Sequence, residues 1–87
     1  MYIILSYDIG AKRVARARKT VKKYLSPILE SVFEGELTPS NLERLKKELS
    51  ELIEPAHDSI VIYRLNTPDE ITRSMIGIPL PIPGEFL

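Results

Sequence analysis

The N-terminal stretch MYIILSYDIG, residues 1–10, decides the fold of this 87-residue chain. Residues 2–8 favour a β-strand, whose side chains alternate between the two faces of a sheet. Both sets of alternating residues are mostly apolar, which is typical of a central strand covered on both sides. The strand nevertheless ends in a carboxylate, Asp8, at the point where the chain has to turn.

A helix and an extended segment are predicted next. Apolar residues recur at three- and four-residue steps over residues 11–25, which predicts an amphipathic helix. Ser26-Pro27 is expected to end it, because proline disfavours helical geometry in the residue before it. Residues 28–37 are typical of extended chain, either one strand or a short irregular hairpin with Gly35 as a bulge.

The second helix has the clearest signals in the chain. Thr38 is a good N-cap and Pro39 a good first helical residue, while Ser40 and Glu43 offer an alternative capping box. Leucines at helical spacing follow, and Pro55 closes the helix. The sequence therefore predicts a second helix that packs one apolar stripe against the rest of the domain.

With a last strand over residues 59–65, the element order predicts an α+β, ferredoxin-like βαββαβ core in residues 1–65. The helices of that fold cover one face of the sheet, although the first and last strands are apolar on both. We therefore expect a homodimer whose sheets pack face to face. Residues 66–87 contain prolines that alternate with aliphatic residues, and we predict a C-terminal strap that docks on the partner protomer.

Composition excludes several classes of protein. The chain has no cysteine, which rules out a disulfide framework and thiolate metal sites. No apolar run approaches the ~20 residues needed to span a bilayer. Met1 leads directly into the strand pattern without a basic segment, so we predict no signal peptide. We expect a soluble cytoplasmic protein without a membrane partner.

A net charge of zero conceals a strong polarity along the chain. Residues 1–29 hold seven bases against one acid, a charge of +6, whereas residues 30–87 hold five bases against eleven acids, a charge of −6. Such a basic face is often only a solvated surface, but no acid between Asp8 and Glu30 interrupts these bases. The alternative is binding of a phosphate backbone. The predicted nucleic-acid-binding residues are Lys12, Arg13, Arg16, Lys19 and Lys23.

Two roles for Asp8 are consistent with its position at the end of a strand. A carboxylate at the end of a strand can cap the helix that follows, or it can act as a metal ligand or an acid–base group. One carboxylate is few for magnesium, but a two-fold dimer would supply a pair. The sequence offers no catalytic triad, no glycine-rich phosphate loop and no zinc-binding spacing.

Several motifs together resemble one family. YIILSYDIG (2–10), the basic helix, SVFEGELT (31–38), the leucine-striped helix and DSIVIYRL (58–65) are similar to the small CRISPR-associated Cas2 family. The resemblance covers residues 1–65. It implies a ferredoxin-like homodimer whose C-terminal segment crosses to the partner's sheet. It also implies that two copies of Asp8 hold magnesium or another divalent cation. The further catalytic residues implied are Tyr7, Ser31 and Phe33, and the resemblance also places Arg13 or Arg16 at or near a position tied to activity.

The resemblance implies two functions from different classes. The first is a metal-dependent endonuclease acting on single-stranded RNA or double-stranded DNA. The second is a scaffold that bridges Cas1 integrase dimers and binds the duplex during spacer acquisition, and we favour it because one acid per chain is little for hydrolysis. A non-catalytic nucleic-acid-binding dimer and a ribonuclease toxin of the VapD type remain as alternatives.

Overall fold

The structure is a computed structural model that describes residues 1–81. Its elements, in chain order, are β1 (Tyr2–Asp8), α1 (Val14–Val21), β2 (Ser26–Leu29), β3 (Val32–Glu36), α2 (Pro39–Leu52) and β4 (Ser59–Leu65), followed by a 3-10 turn (Pro68–Glu70). The predicted βαββαβ order is confirmed, and the middle segment is a hairpin. The last part of the predicted strap, residues 82–87, lies outside the described residues.

The four strands form one antiparallel sheet in the order β2-β3-β1-β4. Directly opposed residues share a face, so the register assigns every side chain to one side. Leu5 lies opposite Phe33 and Ile62 on the side that packs against α1 and α2, here called the helix face. Ile4 lies opposite Glu34 and Tyr63 on the other side, here called the open face.

The core lies between the helix face and the two helices. Both helices turn their apolar stripes towards the sheet, as the periodicity predicts. Its most buried side chains are Ile3, Leu5, Phe33, Ala17, Val21, Leu42 and Leu45. Within residues 1–81, neither helix has the combination of length and hydropathy that crossing a bilayer demands.

The first helix is shorter than the predicted span of residues 11–25. Residues 11–13 form a turn in which the N–H groups of Arg13 and Val14 both donate to the Gly10 carbonyl. At the other end, Tyr24 N–H donates three residues back, to Val21 O, because the chain tightens before β2 begins. The apolar periodicity continues through both turns, so it could not define the helix ends.

Gly35 is not the site of the bulge, and that prediction was wrong. It pairs regularly with Ile3, and the irregularity of the hairpin lies in β2 between Pro27 and Leu29. Proline has no N–H to donate, which accounts for a broken ladder at Pro27. A Cβ at Gly35 would stand 3.2 Å from Leu25 Cδ2, so glycine lets the turn between α1 and β2 approach the sheet closely.

The predicted start of α2 is confirmed. Thr38 is the N-cap, and its hydroxyl accepts a hydrogen bond of 3.1 Å from Asn41 N–H. Pro39 is the first helical residue. The alternative capping box of Ser40 and Glu43 is not used, because both residues already lie inside the helix.

Part of the open face is covered by the chain's own C-terminal segment. Side chains of residues 71–80 and of β1, β2 and β3 line a shared cavity of about 290 Å³. Residues 1–81 leave the β4 side of the same face uncovered, and there Val61 and Tyr63 are 44% and 56% exposed. Docking of the segment on a partner protomer stays a prediction.

Candidate functional site

Asp8 stands at the end of β1 on the open face. Its side chain is exposed, and it lines a groove of about 230 Å³ with Ser6, Ser59 and Val61. Within residues 1–81 it makes no hydrogen bond and no ion pair through its carboxylate. The capping role for Asp8 was wrong. Residues 9–13 separate Asp8 from α1, and the N-cap residue of that helix, Arg13, makes no side-chain capping hydrogen bond.

The groove offers only oxygen ligands, which suit a hard cation such as magnesium. One protomer contributes a single carboxylate to it, Asp8, beside the hydroxyls of Ser6 and Ser59. No group of three or more histidine, aspartate or glutamate side chains in the described part of the chain could hold a metal ion. The described residues of one protomer therefore form no metal site by themselves, and a magnesium site built on two Asp8 carboxylates, one from each copy, stays a prediction.

Tyr7 and Phe33, two of the other predicted catalytic residues, lie on the helix side of the sheet, and Ser31 lies in the turn between β2 and β3. Tyr7 and Phe33 are buried in the core with their ring centres 5.6 Å apart. The Tyr7 hydroxyl donates to the Glu30 carbonyl oxygen at 3.2 Å, and Tyr7 N–H donates to Ser31 O at 3.1 Å. The structure therefore brings the rings of Tyr7 and Phe33 together on the face of the sheet opposite to the Asp8 carboxylate, and Ser31 meets Tyr7 through its backbone carbonyl.

Arg18 joins this buried cluster, although the sequence marked it only as one of seven bases. Its Nη1 donates to the Glu30 carbonyl at 2.6 Å, the same oxygen that Tyr7 contacts. Its guanidinium also lies 5.3 Å from the centre of the Phe33 ring, within reach of a cation–π interaction. Helical spacing alone could not reveal this, because the partners come from the β2–β3 turn.

The predicted nucleic-acid-binding residues divide into two groups. Lys12, Arg16 and Lys19 are exposed and make no ion pair within residues 1–81. The other two are engaged in ion pairs, Lys23 with Glu48 of α2 and Arg13 with Asp58. The hydrogen bond from Lys23 holds the pKa of Glu48 below its usual range.

Asp58 is a buried acid that no pattern in the sequence revealed. Its carboxylate accepts two hydrogen bonds from the Arg13 guanidinium, 2.6 Å from Nε and 2.9 Å from Nη2. These bonds hold the pKa of Asp58 well below its usual range, aided by backbone N–H donors. In the sequence it is one acid before a predicted strand, and nothing local distinguishes it from an exposed residue.

A second buried acid lies on the open face. Glu34 is 2% exposed, and its carboxylate accepts a hydrogen bond from Nη2 of Arg73 in the C-terminal segment. Tyr2 is buried beside this pair, and burial together with the nearby Glu34 raises the pKa of its hydroxyl. The pair ties residues 71–80 to the sheet near the start of β1, whereas Asp8 is the last residue of that strand.

These features define a class of protein. It is a small α+β domain with a four-stranded antiparallel sheet, two helices on one face and a basic first helix. Its other face carries an exposed carboxylate and exposed apolar side chains. Comparison with known proteins then identifies the family. Residues 1–71 match the family model described as CRISPR associated protein Cas2, and the chain belongs to that family.

Individual relatives agree. A protein of Archaeoglobus fulgidus named CRISPR-associated endoribonuclease Cas2 2 is 39% identical over 85 residues, which cover 98% of this chain and 92% of the relative. The CRISPR-associated endoribonuclease Cas2 of Thermotoga maritima is 40% identical over 78 residues, 90% of each chain. These relatives match nearly the full length of the chain, so the similarity is not confined to one motif.

Solved structures of the family have the same fold. A crystal structure described as that of cas2 superimposes with a TM-score of 0.84 at 33% identity, covering 100% of this chain and 97% of the other. The crystal structure of Streptococcus pyogenes Cas2 at pH 6.5 gives a TM-score of 0.79 at 26% identity, covering 88% and 100%. The family resemblance inferred from the motifs is confirmed.

Proposed function

We propose that this protein is a CRISPR adaptation protein, a homodimeric scaffold on which Cas1 integrase assembles with double-stranded DNA during spacer acquisition. Endonuclease activity is proposed as a second property. The observation that carries the proposal is a separation: the exposed bases of α1 lie on the helix side of the sheet, whereas Asp8 lies on the open face. A duplex bound along the bases would therefore not be held at the Asp8 carboxylate.

The dimer is supported by the uncovered part of the open face. Val61 and Tyr63 project from β4 beside the Asp8 groove, and exposed apolar side chains on a small sheet favour burial against another surface. Packing this face against its copy around a two-fold axis buries the same side chains from both protomers. The same arrangement brings the two Asp8 carboxylates towards one another.

Nucleic-acid binding is supported by three bases that pair with no acid among the described residues. Lys12, Arg16 and Lys19 are exposed on the outer side of α1 or just before it, while Ala17 and Val21 turn inward. Contacts of lysine and arginine with phosphate are independent of sequence and weaken as salt rises. A dimer presents the set twice, as binding along an extended duplex requires.

The proposed endonuclease activity would use a pair of Asp8 carboxylates, one from each protomer. A divalent cation such as magnesium bound there would supply an activated water and stabilise charge at the scissile phosphate. Asp8 is free to take this role, because no described group competes for its oxygens. Single-stranded RNA or double-stranded DNA are the proposed substrates.

The test of these two roles is Asp8→Ala, assayed for magnesium-dependent cleavage and for spacer integration with Cas1. We expect cleavage to be lost and integration to survive. Asp69→Ala is the matched control, since Asp69 is another exposed acid and lies far along the chain from the groove. Loss of integration by Asp8→Ala, with the dimer and duplex binding intact, would refute the scaffold proposal.

Duplex binding is tested by reversing the three unpaired bases Lys12, Arg16 and Lys19 to glutamate. Lys23 is left unchanged, because reversal there would set two acids against each other at Glu48. We expect weaker binding and a flatter dependence on salt. Reversal of Arg44, Lys47 and Arg64, exposed bases of α2 and β4 that make no ion pair within residues 1–81, is the matched control. Equal losses from the two sets would mean that the effect reflects only total charge.

A further inference from the structure

Asp58 is the centre of a hydrogen-bonded cluster beneath the turn that joins β1 to α1. Its side chain has no exposed surface, and it accepts four hydrogen bonds. Two come from Arg13, as described above. The others come from backbone N–H groups, at 2.9 Å from Gly10 and 2.8 Å from Glu54. A buried carboxylate with this many donors is fully satisfied, so the cluster has one preferred geometry.

The donors come from two separate parts of the chain, the turn between β1 and α1 and the residues after α2. Gly10 follows Asp8 by two residues, Arg13 is the N-cap of α1, and Glu54 follows the end of α2. Asp58 itself precedes Ser59, which pairs with Asp8 in the sheet. The Asp58 carboxylate therefore holds both ends of the turn: Gly10 near the Asp8 groove, and Arg13 at the start of the basic helix α1.

This arrangement changes the expected role of Arg13. Its Nε and Nη2 point to Asp58, and its side chain is only 24% exposed, whereas Lys12 and Arg16 are exposed residues. To bind a phosphate through the same donors, Arg13 would have to leave Asp58 as an uncompensated buried charge, which is strongly unfavourable. Gly10 adds a steric limit, because a Cβ there would meet the Arg13 guanidinium at 2.6 Å.

We propose that Arg13 and Asp58 are positioning residues that hold the turn between β1 and α1, and that Arg13 acts on nucleic acid only through this turn. The bases that contact phosphate are then Lys12, Arg16 and Lys19. The inference rests on the proposed duplex binding for its main measurement. The part of the inference that concerns the conformation of the turn does not depend on duplex binding.

The test compares Arg13→Gln, Asp58→Asn, the double variant and Arg16→Gln, with duplex affinity measured over a range of salt concentrations. Arg16→Gln should lower the slope of log affinity against log salt by about 0.9 for the phosphate contact it removes. Arg13→Gln should lower affinity several-fold at every salt concentration without changing the slope. The double variant should regain part of that affinity, because no unpaired buried charge remains, although the amide introduced at position 58 can accept from only one of the two backbone N–H groups of Gly10 and Glu54.

A fall in the slope for Arg13→Gln equal to that for Arg16→Gln, or no recovery in the double variant, would overturn the inference. Failure of the unaltered protein to bind duplex would refute the proposed function instead. In that case amide hydrogen exchange at Gly10 decides the inference. We expect faster exchange at Gly10 in Arg13→Gln than in the unaltered protein, and near-normal exchange in the double variant. Unchanged exchange in Arg13→Gln would overturn the inference.

Discussion

Tyr7 and Asp8 are neighbours in β1 whose side chains lie on opposite faces of the sheet. Tyr7 is opposite Ile60 on the helix face, and Asp8 is opposite Ser59 on the open face. One residue is therefore part of the core, and the other is available to a ligand or a second copy. The family resemblance groups both as catalytic, but their surroundings predict different responses to substitution.

Substitution of Phe33 should act through stability. Phe33 has no exposed surface and packs against Tyr7 and the Arg18 guanidinium. Phe33→Ala should lower the free energy of unfolding by about 3–5 kcal/mol, and Phe33→Leu by much less, since a smaller void remains. Urea unfolding measures both, with Leu29→Ala at a half-exposed position of β2 as the control. A folded Phe33→Leu protein that has lost all nuclease activity would instead indicate a direct catalytic role.

Loss of Arg73 should release the C-terminal segment and destabilise the domain. Arg73→Met leaves Glu34 buried without its cation, which we expect to cost about 2 kcal/mol because Arg73 itself is partly exposed. Adding Glu34→Gln should restore much of the loss. Chemical unfolding gives the energies, and limited proteolysis after residue 70 reports release of the segment. Arg64→Met, an exposed arginine of β4, should change neither.

Acid should weaken the fold through Asp58. The pKa of this carboxyl is lowered in the folded protein, so its stabilising effect is complete above the unfolded value of about 3.9 and is lost as pH falls below it. Asp58→Asn should therefore lower stability at neutral pH and flatten its decline between pH 5 and 3. Urea midpoints across this range measure the difference. If Asp69→Asn flattened the decline equally, the effect would not belong to the buried pair.

A charge on the open face should prevent dimerisation. Tyr63→Glu sets two carboxylates into the proposed interface, and we expect a monomer with an intact sheet. Ser50→Glu adds the same charge to the exposed side of α2 and should leave the dimer unchanged. Sedimentation velocity and circular dichroism separate dissociation from unfolding. An unaltered protein that sediments as a compact monomer at working concentrations would remove the basis of the paired Asp8 site.

The sequence by itself determined the order of strands and helices, the start of α2 at Thr38 and the family. These depend on local signals: alternation in strands, helical periodicity, capping residues and motifs of a few neighbouring side chains. The ends of α1 and the position of the hairpin irregularity were not predictable, because the apolar period runs on through the turns at both ends of the helix. Backbone hydrogen bonds, which periodicity does not report, set those limits.

Only the tertiary structure decided which charged residues are available to a ligand. Asp8 is the last residue of β1, and Asp58 immediately precedes β4. Asp8 is exposed, whereas the Asp58 side chain is buried beneath a turn. Arg13 and Arg16 are both bases near the start of α1, yet only Arg13 reaches a buried carboxylate 45 residues away in sequence. Burial and pairing depend on contacts between distant segments, and no pattern within one segment contains that information.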